Sequence, residues 1–202
     1  MELKDKINPK NTSLVVIDIQ NDFASPHGSL GKNGRDLSMV PTMLANLDLL
    51  TTRASSVGVE TYFTQQIYDR AMLNPLQLEQ YDLDGKLVTC DINTEGYKFY
   101  KINPPTDKVY IKYNFNIFSN QDLQKDLRDK KIKTLIITGM DIIYCVETAV
   151  RNAFDLGFKV VVPEDAIAGN GKHTDANNNA IEMFKKFGVV VKTQEILDIW
   201  NS

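Results

Sequence analysis

Three short runs of uninterrupted apolar residues constrain the fold of this 202-residue chain more than any other feature of its sequence. They are rich in β-branched residues and cover residues 14–17, 134–137 and 160–162. A strand with one face in water alternates apolar and polar residues, whereas a strand buried on both faces does not. The runs therefore predict parallel strands in a sheet that is covered on both faces.

Apolar residues recur at helical spacing between and after these runs, which predicts amphipathic helices there. The stripes are Met43, Leu44, Leu47 and Leu50; Leu123 and Leu127; Val146, Ala149, Val150, Ala153 and Phe154; and Ala176, Ala180, Ile181, Phe184 and Phe187. Gly58, Gly157 and Gly188 each follow a periodic segment and precede a β-branched run, as expected where a helix ends. Further strands are expected at residues 59–64 and 109–112.

This alternation predicts a three-layer α/β/α fold, doubly wound, with about six mostly parallel strands. A length of 202 residues fits one domain over residues 1–202. Residues 65–108 interrupt the alternation with prolines, glycines and no clear period. A connection this long is usually functional or disordered. We expect it to pack over the site or against a partner chain, because it contains Leu76, Leu78, Leu83, Leu87 and Phe99.

Composition and charge narrow the classes of function. A hydrophobic content of 43% and a charged content of 24% are typical of soluble globular proteins. No apolar run approaches the roughly 20 residues that span a bilayer. A net charge of -3, with lysines and acids interspersed, offers no broad positive surface for nucleic acid. Residues 1–11 lack the apolar stretch of a signal peptide, so we expect a cytoplasmic protein without nucleic-acid or membrane partners.

Two cysteines, Cys90 and Cys145, are too few for a disulfide framework and too far apart for a clustered metal motif. Cys145 follows the apolar run at 134–138 by a few residues and is expected to open a helix. Cys90 lies in the irregular connection without such a helix start, so we expect a structural role for it. Cys145 is therefore the candidate reactive thiol.

Two further ionisable residues lie at predicted strand ends. Asp18 follows residues 14–17, and Lys112 ends the predicted strand at 109–112, so both should meet Cys145 in one crevice. A helix start and a neighbouring cation lower the pKa of a thiol, which predicts an activated Cys145 beside Lys112. Asp18 would accept the thiol proton and later return it to a departing amine. The backbone N–H groups of Asp141 and Cys145 are the candidate oxyanion donors.

Residues near the triad segments are expected to shape the pocket or its loops. Phe23, Phe118 and Tyr144 are the aromatic pocket candidates. Gln20 and Asp22 are expected to hold the loop after the first strand by hydrogen-bonding backbone groups.

The chain resembles the isochorismatase-like cysteine hydrolases over nearly its whole length. The matching segments are residues 16–23 (VIDIQNDF), residues 111–115 (IKYNF), Gly139 with residues 145–147 (CVE), and residues 163–166 (PEDA). The resemblance implies a nucleophilic Cys145, an Asp18 that exchanges protons with it, and a Lys112 that holds both. It also implies a non-proline cis peptide between Met140 and Asp141, and assembly into a homodimer or homotetramer.

Two departures from the family pattern refine this expectation. Nicotinamidases of the family carry an Asp-x-His metal motif after the second strand, whereas residues 64–69 read TQQIYD and the only histidines are His27 and His173. We therefore predict an enzyme without a metal or other cofactor.

Asp141 replaces a residue that is often small or hydroxylated. Facing the site, its carboxylate would oppose thiolate formation or favour a cationic substrate; pointing away, it would contribute only its N–H.

Isochorismatases proper cleave a vinyl ether and lack the cysteine, so the presence of Cys145 favours cleavage of a C–N bond. The leading hypothesis is a hydrolase that cleaves a small amide, ureide or carbamoyl compound through a thioester on Cys145. One alternative is a nicotinamidase-like activity without the usual metal. Another is an interaction module of the same fold that has lost its catalysis, with Asp141 and Ile143 marking the altered site.

Overall fold

A parallel β-sheet forms the centre of the computed structural model, which describes residues 2–83, 85 and 87–202. The strands are β1 (Thr12–Ile17), β2 (Glu60–Gln66), β3 (Val109–Lys112), β4 (Thr134–Met140), β5 (Lys159–Pro163), β6 (Ile167–Ala168) and β7 (Gly188–Val191). Their order is β3-β2-β1-β4-β5-β7, with the short β6 paired to the end of β4. The chain therefore reverses its direction of travel across the sheet between β1 and β4, which is where a doubly wound fold binds its ligands.

Helices cover both faces of this sheet. They are α1 (Leu3–Lys6), α2 (Asn21–Ala24), α3 (Ser29–Lys32), α4 (Val40–Ser56), α5 (Pro75–Leu83), α6 (Gln121–Asp129), α7 (Glu147–Asp155), α8 (Thr174–Phe187) and α9 (Thr193–Asn201). A single π-helical turn, Ile142–Val146, leads directly into α7. Among the described residues, no helix is both long and apolar enough to cross a bilayer. The predicted three-layer fold is confirmed.

Successive residues of β1 alternate between two hydrophobic cores. Leu14 and Val16 pack with α4 and α9 on one face, whereas Val15 and Ile17 pack with α6, α7 and α8 on the other. All four side chains are at most 1% exposed. A fully buried Leu or Val contributes about 1.5–3 kcal/mol relative to an exposed one. Burial on both faces is why these strands carry no polar alternation.

Three local expectations differ from the structure. The apolar stripe of α7 does not include Phe154, which is 48% exposed and contacts Phe187 edge to face at the surface. Leu76 and Leu83 of α5 are 64% and 75% exposed, so these two leucines of the long connection do not pack as expected. Helix α9 was missing from the prediction, although Ile196, Leu197 and Trp200 bury its inner face at helical spacing.

Candidate active site

Three strand ends bring Asp18, Lys112 and Cys145 together. Asp18 follows β1, Lys112 ends β3, and Cys145 lies in the π-helical turn after β4. Lys112 Nζ is 2.7 Å from Asp18 Oδ2 and 3.3 Å from Cys145 Sγ. Because β2 lies between β1 and β3, the long lysine side chain spans the width of that strand to reach both partners.

The Lys112 ammonium group is enclosed by more acceptors than it has protons. Besides Asp18 and Cys145, it donates to Gln66 Oε1 at 2.8 Å and to the carbonyl oxygen of Asn114 at 3.0 Å. An ammonium has three N–H groups, so one of these four acceptors is without a Lys112 proton at any time. The Cys145 thiol is the one member of the four that has a proton of its own to donate. Asp18 is the acceptor with the charge to receive it.

Asp18 is held in an unusual backbone conformation at the end of β1. Its φ of 52° lies in the left-handed region, which is uncommon outside glycine and is concentrated at functional sites. Thr64 Oγ1 donates to its Oδ1 at 2.8 Å. Its Oδ2 pairs with the Lys112 ammonium at 2.7 Å, and a carboxylate oxygen has a further lone pair beyond that contact. This oxygen therefore retains the capacity to accept the Cys145 proton.

Burial decides the protonation state of the thiol. Asp18 is fully buried, and Lys112 and Cys145 are 1% and 5% exposed. Burial raises the pKa of the Cys145 thiol to about 12, since the opposing effect of Lys112 does not offset the loss of water and Asp18 adds to the increase. Burial acts against the charged form of Lys112 too, but Asp18 and Cys145 raise its pKa above the ordinary value. Burial and Asp18 thus act against the activated thiolate that the sequence predicted, and the raised pKa favours a thiol that keeps its proton at rest.

The segment before Cys145 differs slightly from the predicted helix start. The Met140–Asp141 peptide bond is cis, at the position that the family resemblance implies. The Asp141 carbonyl oxygen accepts from Tyr144 N–H at 3.1 Å and from Val146 N–H at 3.0 Å, which closes the π-helical turn. Cys145 thus lies inside the first helical turn and does not open it. N–H groups in a first helical turn lack intrahelical acceptors, and those of Asp141 and Cys145 are in this region.

The Asp141 carboxylate forms a salt bridge with Arg35. The two side chains are 12% and 10% exposed, and both line the cavity above Cys145. The structure thereby answers the question that the sequence left open, since the carboxylate faces the cavity but is paired with a cation. Arg35 was missing from the predicted site, because its contact with Asp141 joins positions 106 residues apart.

A cavity of about 730 Å³ opens above Cys145. Phe23 and Tyr144 line it, as predicted. Phe118 does not, and the prediction for this residue is wrong. A short turn at Ile117–Ser119 directs Phe118 into the core, where it is 4% exposed and stacks on Phe158 with ring centroids 6.1 Å apart.

The connection after β2 supplies much of the cavity wall, so it packs over the candidate site as expected. Its contributions include Tyr68, Leu73, Gln77, Gln80, Tyr81 and Thr89. Gln20 Nε2 fastens this connection by donating to the carbonyl oxygens of Gln66 and Tyr97 at 2.8 and 2.7 Å. The Asp22 carboxylate accepts from the N–H groups of Ser29 and Cys90, both at 2.7 Å. Both residues thus act as the predicted scaffold, although they bind more distant segments than their own loop.

Cys90 and the residues at the end of β2 bear on two further predictions, a structural second cysteine and the absence of a histidine-based metal site. Cys90 is fully buried, and burial raises its pKa strongly. At the end of β2 the cavity wall is Gln66, Ile67 and Tyr68, which do not fit a histidine-based metal site. Within the described ranges, no three His, Cys, Asp or Glu side chains are grouped to hold a metal ion. Of the two histidines, His173 lines the cavity.

Comparison with known proteins identifies the family. The isochorismatase domain model matches residues 12–195. The chain belongs to the isochorismatase family. It is 31% identical over 178 residues to ureidoacrylate amidohydrolase RutB of Pantoea ananatis, an alignment that covers 78% of this chain and 69% of that protein.

Solved structures of the family share the fold. A cysteine hydrolase from Pseudomonas syringae pv. phaseolicola superimposes with a TM-score of 0.82 at 21% identity, covering 97% of this chain and 95% of the other. Nicotinamidase PncA from Bacillus subtilis gives a TM-score of 0.72 at 21% identity, with coverages of 90% and 99%. This isochorismatase-family hydrolase therefore has the three-layer architecture of its relatives.

Proposed function

We propose that this family member is a cysteine-dependent amidohydrolase that cleaves the C–N bond of a small amide, ureide or carbamoyl compound through a thioester, without a metal ion. The observation that carries the proposal is the Lys112 ammonium, 2.7 Å from Asp18 and 3.3 Å from Cys145 below a cavity. The similarity to a ureidoacrylate amidohydrolase supports an amide-type substrate.

The first step joins proton transfer to nucleophilic attack. The Cys145 thiol is protonated at rest, so its sulfur becomes nucleophilic as Asp18 Oδ2 takes the proton. The sulfur forms a bond to the substrate carbonyl carbon, and the carbonyl π electrons move to the oxygen. The N–H groups of Asp141 and Cys145 stabilise that oxyanion. Lys112 stays protonated beside the reacting groups while the negative charge moves from Asp18 through the sulfur to the substrate oxygen.

The second and third steps return every group to its starting state. The oxyanion re-forms the carbonyl, the C–N bond breaks, and protonated Asp18 gives its proton to the departing nitrogen. Asp18 then takes a proton from water as the water oxygen attacks the thioester. The C–S bond breaks, the acid product leaves, and Cys145 recovers its proton from Asp18. One water molecule is consumed, and one acid and one amine or ammonia molecule are released.

Two features support chemistry without a metal ion. The wall at the end of β2 offers Gln66 and Tyr68 instead of histidine ligands, and Gln66 Oε1 is already engaged by Lys112. Lys112 supplies the positive charge that the sulfur and the carboxylate need at the reacting atoms. The expected result is that turnover is unchanged after dialysis against a chelator, whereas loss of activity restored by added zinc or iron would contradict this part.

The test is a screen of small amides, ureides and carbamoyl compounds for ammonia or acid release, with nicotinamide included because of the shared fold. Any substrate found is then mixed with the protein and quenched rapidly, and intact-mass spectrometry looks for the acyl group on Cys145. Cys145→Ala should abolish release and adduct, while Cys90→Ser should keep both. Turnover by Cys145→Ala at the wild-type rate would refute the cysteine mechanism.

The interaction-module alternative predicts no turnover of any amide and no acyl adduct. The intact contacts among Asp18, Lys112 and Cys145 favour catalysis instead. Assembly into a homodimer or homotetramer stays a prediction, and light scattering of the purified protein tests it.

A further inference from the structure

Arg35 and Asp141 are the charged groups of the cavity wall. Among the described lining residues, Arg35 is the one arginine or lysine and Asp141 is the one carboxylate. Their salt bridge makes the wall formally neutral at this point. His173 is the remaining ionisable side chain, apart from Cys145 and the tyrosines. Within the described wall, the charge of a bound molecule therefore interacts mainly with this ion pair.

The backbone on either side of Arg35 is anchored. Arg35 N–H donates to the Leu30 carbonyl oxygen at 3.1 Å, and Lys172 Nζ donates to the Gly34 carbonyl oxygen at 2.8 Å. Gly171 N–H donates to the Asp36 carbonyl oxygen at 3.0 Å. These bonds tie the segment after α3 to the loop before α8. The backbone that carries Arg35 is thus fixed, and the Asp141 salt bridge orients its guanidinium before any substrate arrives, as a specificity element requires.

The pair has unused hydrogen-bonding capacity. A guanidinium has five N–H groups, and Arg35 uses one of them, on Asp141. Arg35 Nε and Asp141 Oδ1 are enclosed and have no partner among the described residues. Buried polar groups in proteins are nearly always paired. Both side chains line the cavity, so a molecule bound there meets a guanidinium with unused N–H groups beside a carboxylate.

On the basis of the proposed function, we infer that the Arg35–Asp141 pair selects substrates whose non-reacting end is a neutral carbonyl and N–H group, such as a second carboxamide or a ureide. The carbonyl oxygen of such a group accepts from Arg35, and its N–H donates to Asp141. A carboxylate would instead lie against the Asp141 carboxylate in a poorly solvated wall, where like charges oppose binding. The substrate class is a small neutral compound with two amide-type groups.

Two alkylating reagents test this preference without any turnover. Iodoacetamide and iodoacetate carry the same reactive carbon and differ in a carboxamide against a carboxylate. Their second-order rate constants at Cys145 are measured by peptide mass spectrometry, and their ratio is divided by the ratio for glutathione. The wild-type protein should favour iodoacetamide. A preference for iodoacetate that remains after division by the glutathione ratio would overturn the inference.

Variants of the two partners should move the ratio in opposite directions. Asp141→Asn keeps the backbone N–H and frees the charge of Arg35, so iodoacetate should gain by about tenfold or more relative to iodoacetamide, equivalent to about 1.4 kcal/mol. Arg35→Gln leaves Asp141 unpaired and should lower the relative rate of iodoacetate by a similar factor. Asp155→Asn removes the same charge from an exposed position on α7 and should leave the ratio unchanged.

His173→Gln is measured in parallel, because His173 is the other ionisable side chain of the wall and its effect on the ratio must be separated from that of the ion pair.

The outcomes separate this inference from the proposed function. If Asp141→Asn does not fold, as judged by circular dichroism, Arg35→Gln still provides a test of the opposite sign. Ratios that stay within twofold of wild type in both variants, or that move in the same direction, overturn the inference. Succinamide and succinamate then form a substrate pair for kcat/KM. Hydrolysis of both by wild type, without a change of preference in either variant, refutes the role of the pair and leaves the amidohydrolase proposal intact.

Discussion

Lys112 Nζ lies 3.3 Å from Cys145 Sγ, within hydrogen-bonding distance of the buried sulfur, yet the thiol keeps its proton. The cation lowers the pKa of the thiol, but burial raises it more, and the balance is a pKa of about 12. We therefore do not expect a resting thiolate of the kind found in cysteine proteases. The proposed mechanism therefore needs a base at the moment of attack, and Asp18, which shares Lys112 with the thiol, is the candidate.

The pH dependence of thiol reactivity follows from this raised pKa. Only the thiolate is alkylated, and below its pKa the thiolate fraction rises about tenfold for each pH unit. The rate of iodoacetamide alkylation at Cys145 should therefore keep rising between pH 7 and 10, whereas a free thiol levels off above its pKa of about 8.5. Peptide mass spectrometry at a series of pH values measures this. A plateau at Cys145 below pH 9 would contradict the raised pKa.

Asp18→Asn should separate ionisation of the thiol from catalysis. The Asp18 carboxylate raises the pKa of Cys145, so its removal should make the thiol easier to ionise and speed alkylation at neutral pH. The same change removes the proton acceptor of the proposed mechanism and should lower kcat by about 10²–10⁴-fold. Alkylation and turnover should thus change in opposite directions. A variant that loses both, while circular dichroism shows a native fold, would indicate that Asp18 only positions Lys112.

Removal of the Lys112 charge should destabilise the fold. Lys112→Met keeps most of the side-chain volume but leaves the fully buried Asp18 carboxylate without its cation. Breaking a buried ion pair in this way costs about 3–5 kcal/mol of unfolding free energy. Urea denaturation measures the loss, and the double variant with Asp18→Asn should recover much of it. A loss below about 1 kcal/mol for Lys112→Met would show that the pair is better solvated than its burial indicates.

The parts of the fold that follow from local pattern could be predicted from the sequence. Uninterrupted apolar runs mark strands buried on both faces, and ionisable residues at the ends of those strands had to meet at one edge of the sheet. This is why Asp18, Lys112 and Cys145 were identifiable as a group. Their burial was not, because exposure depends on what the connection after β2 covers, and the raised pKa of the thiol follows from that burial.

Long-range contacts and turns account for what the sequence did not reveal. Arg35 meets Asp141 across 106 positions, and no local pattern around Gly34 and Asp36 marks a functional arginine. Phe118 has the same sequence neighbourhood as the cavity-lining Phe115, but one short turn directs it to the core. The sequence position of an aromatic residue near a strand end therefore does not predict whether its side chain lies in the pocket or in the core.

Phe118 and Phe23 should give different phenotypes for this reason. Phe118→Ala leaves a cavity in the core beside Phe158 and should cost about 3–5 kcal/mol of stability. Phe23→Ala removes part of the cavity wall and should raise KM with a smaller loss of stability, since this side chain is only partly buried. Thermal unfolding and steady-state kinetics on the same preparations compare the two. A larger loss of stability from Phe23→Ala would reverse the assignment.

Asp22 should control the order of the cavity wall without touching substrate. Its carboxylate accepts from the partly buried N–H of Ser29 and the buried N–H of Cys90, so Asp22→Ala leaves the Cys90 donor unpaired at a cost of about 1–3 kcal/mol and the Ser29 donor at a smaller one. Asp22→Asn retains one accepting oxygen and should lose less. Hydrogen exchange of residues 87–97 should accelerate in the order wild type, Asn, Ala, and KM should rise in the same order. Because the carboxylate is not part of the reaction, kcat should fall far less than for Asp18→Asn; an equal fall in kcat would place Asp22 in the catalytic machinery.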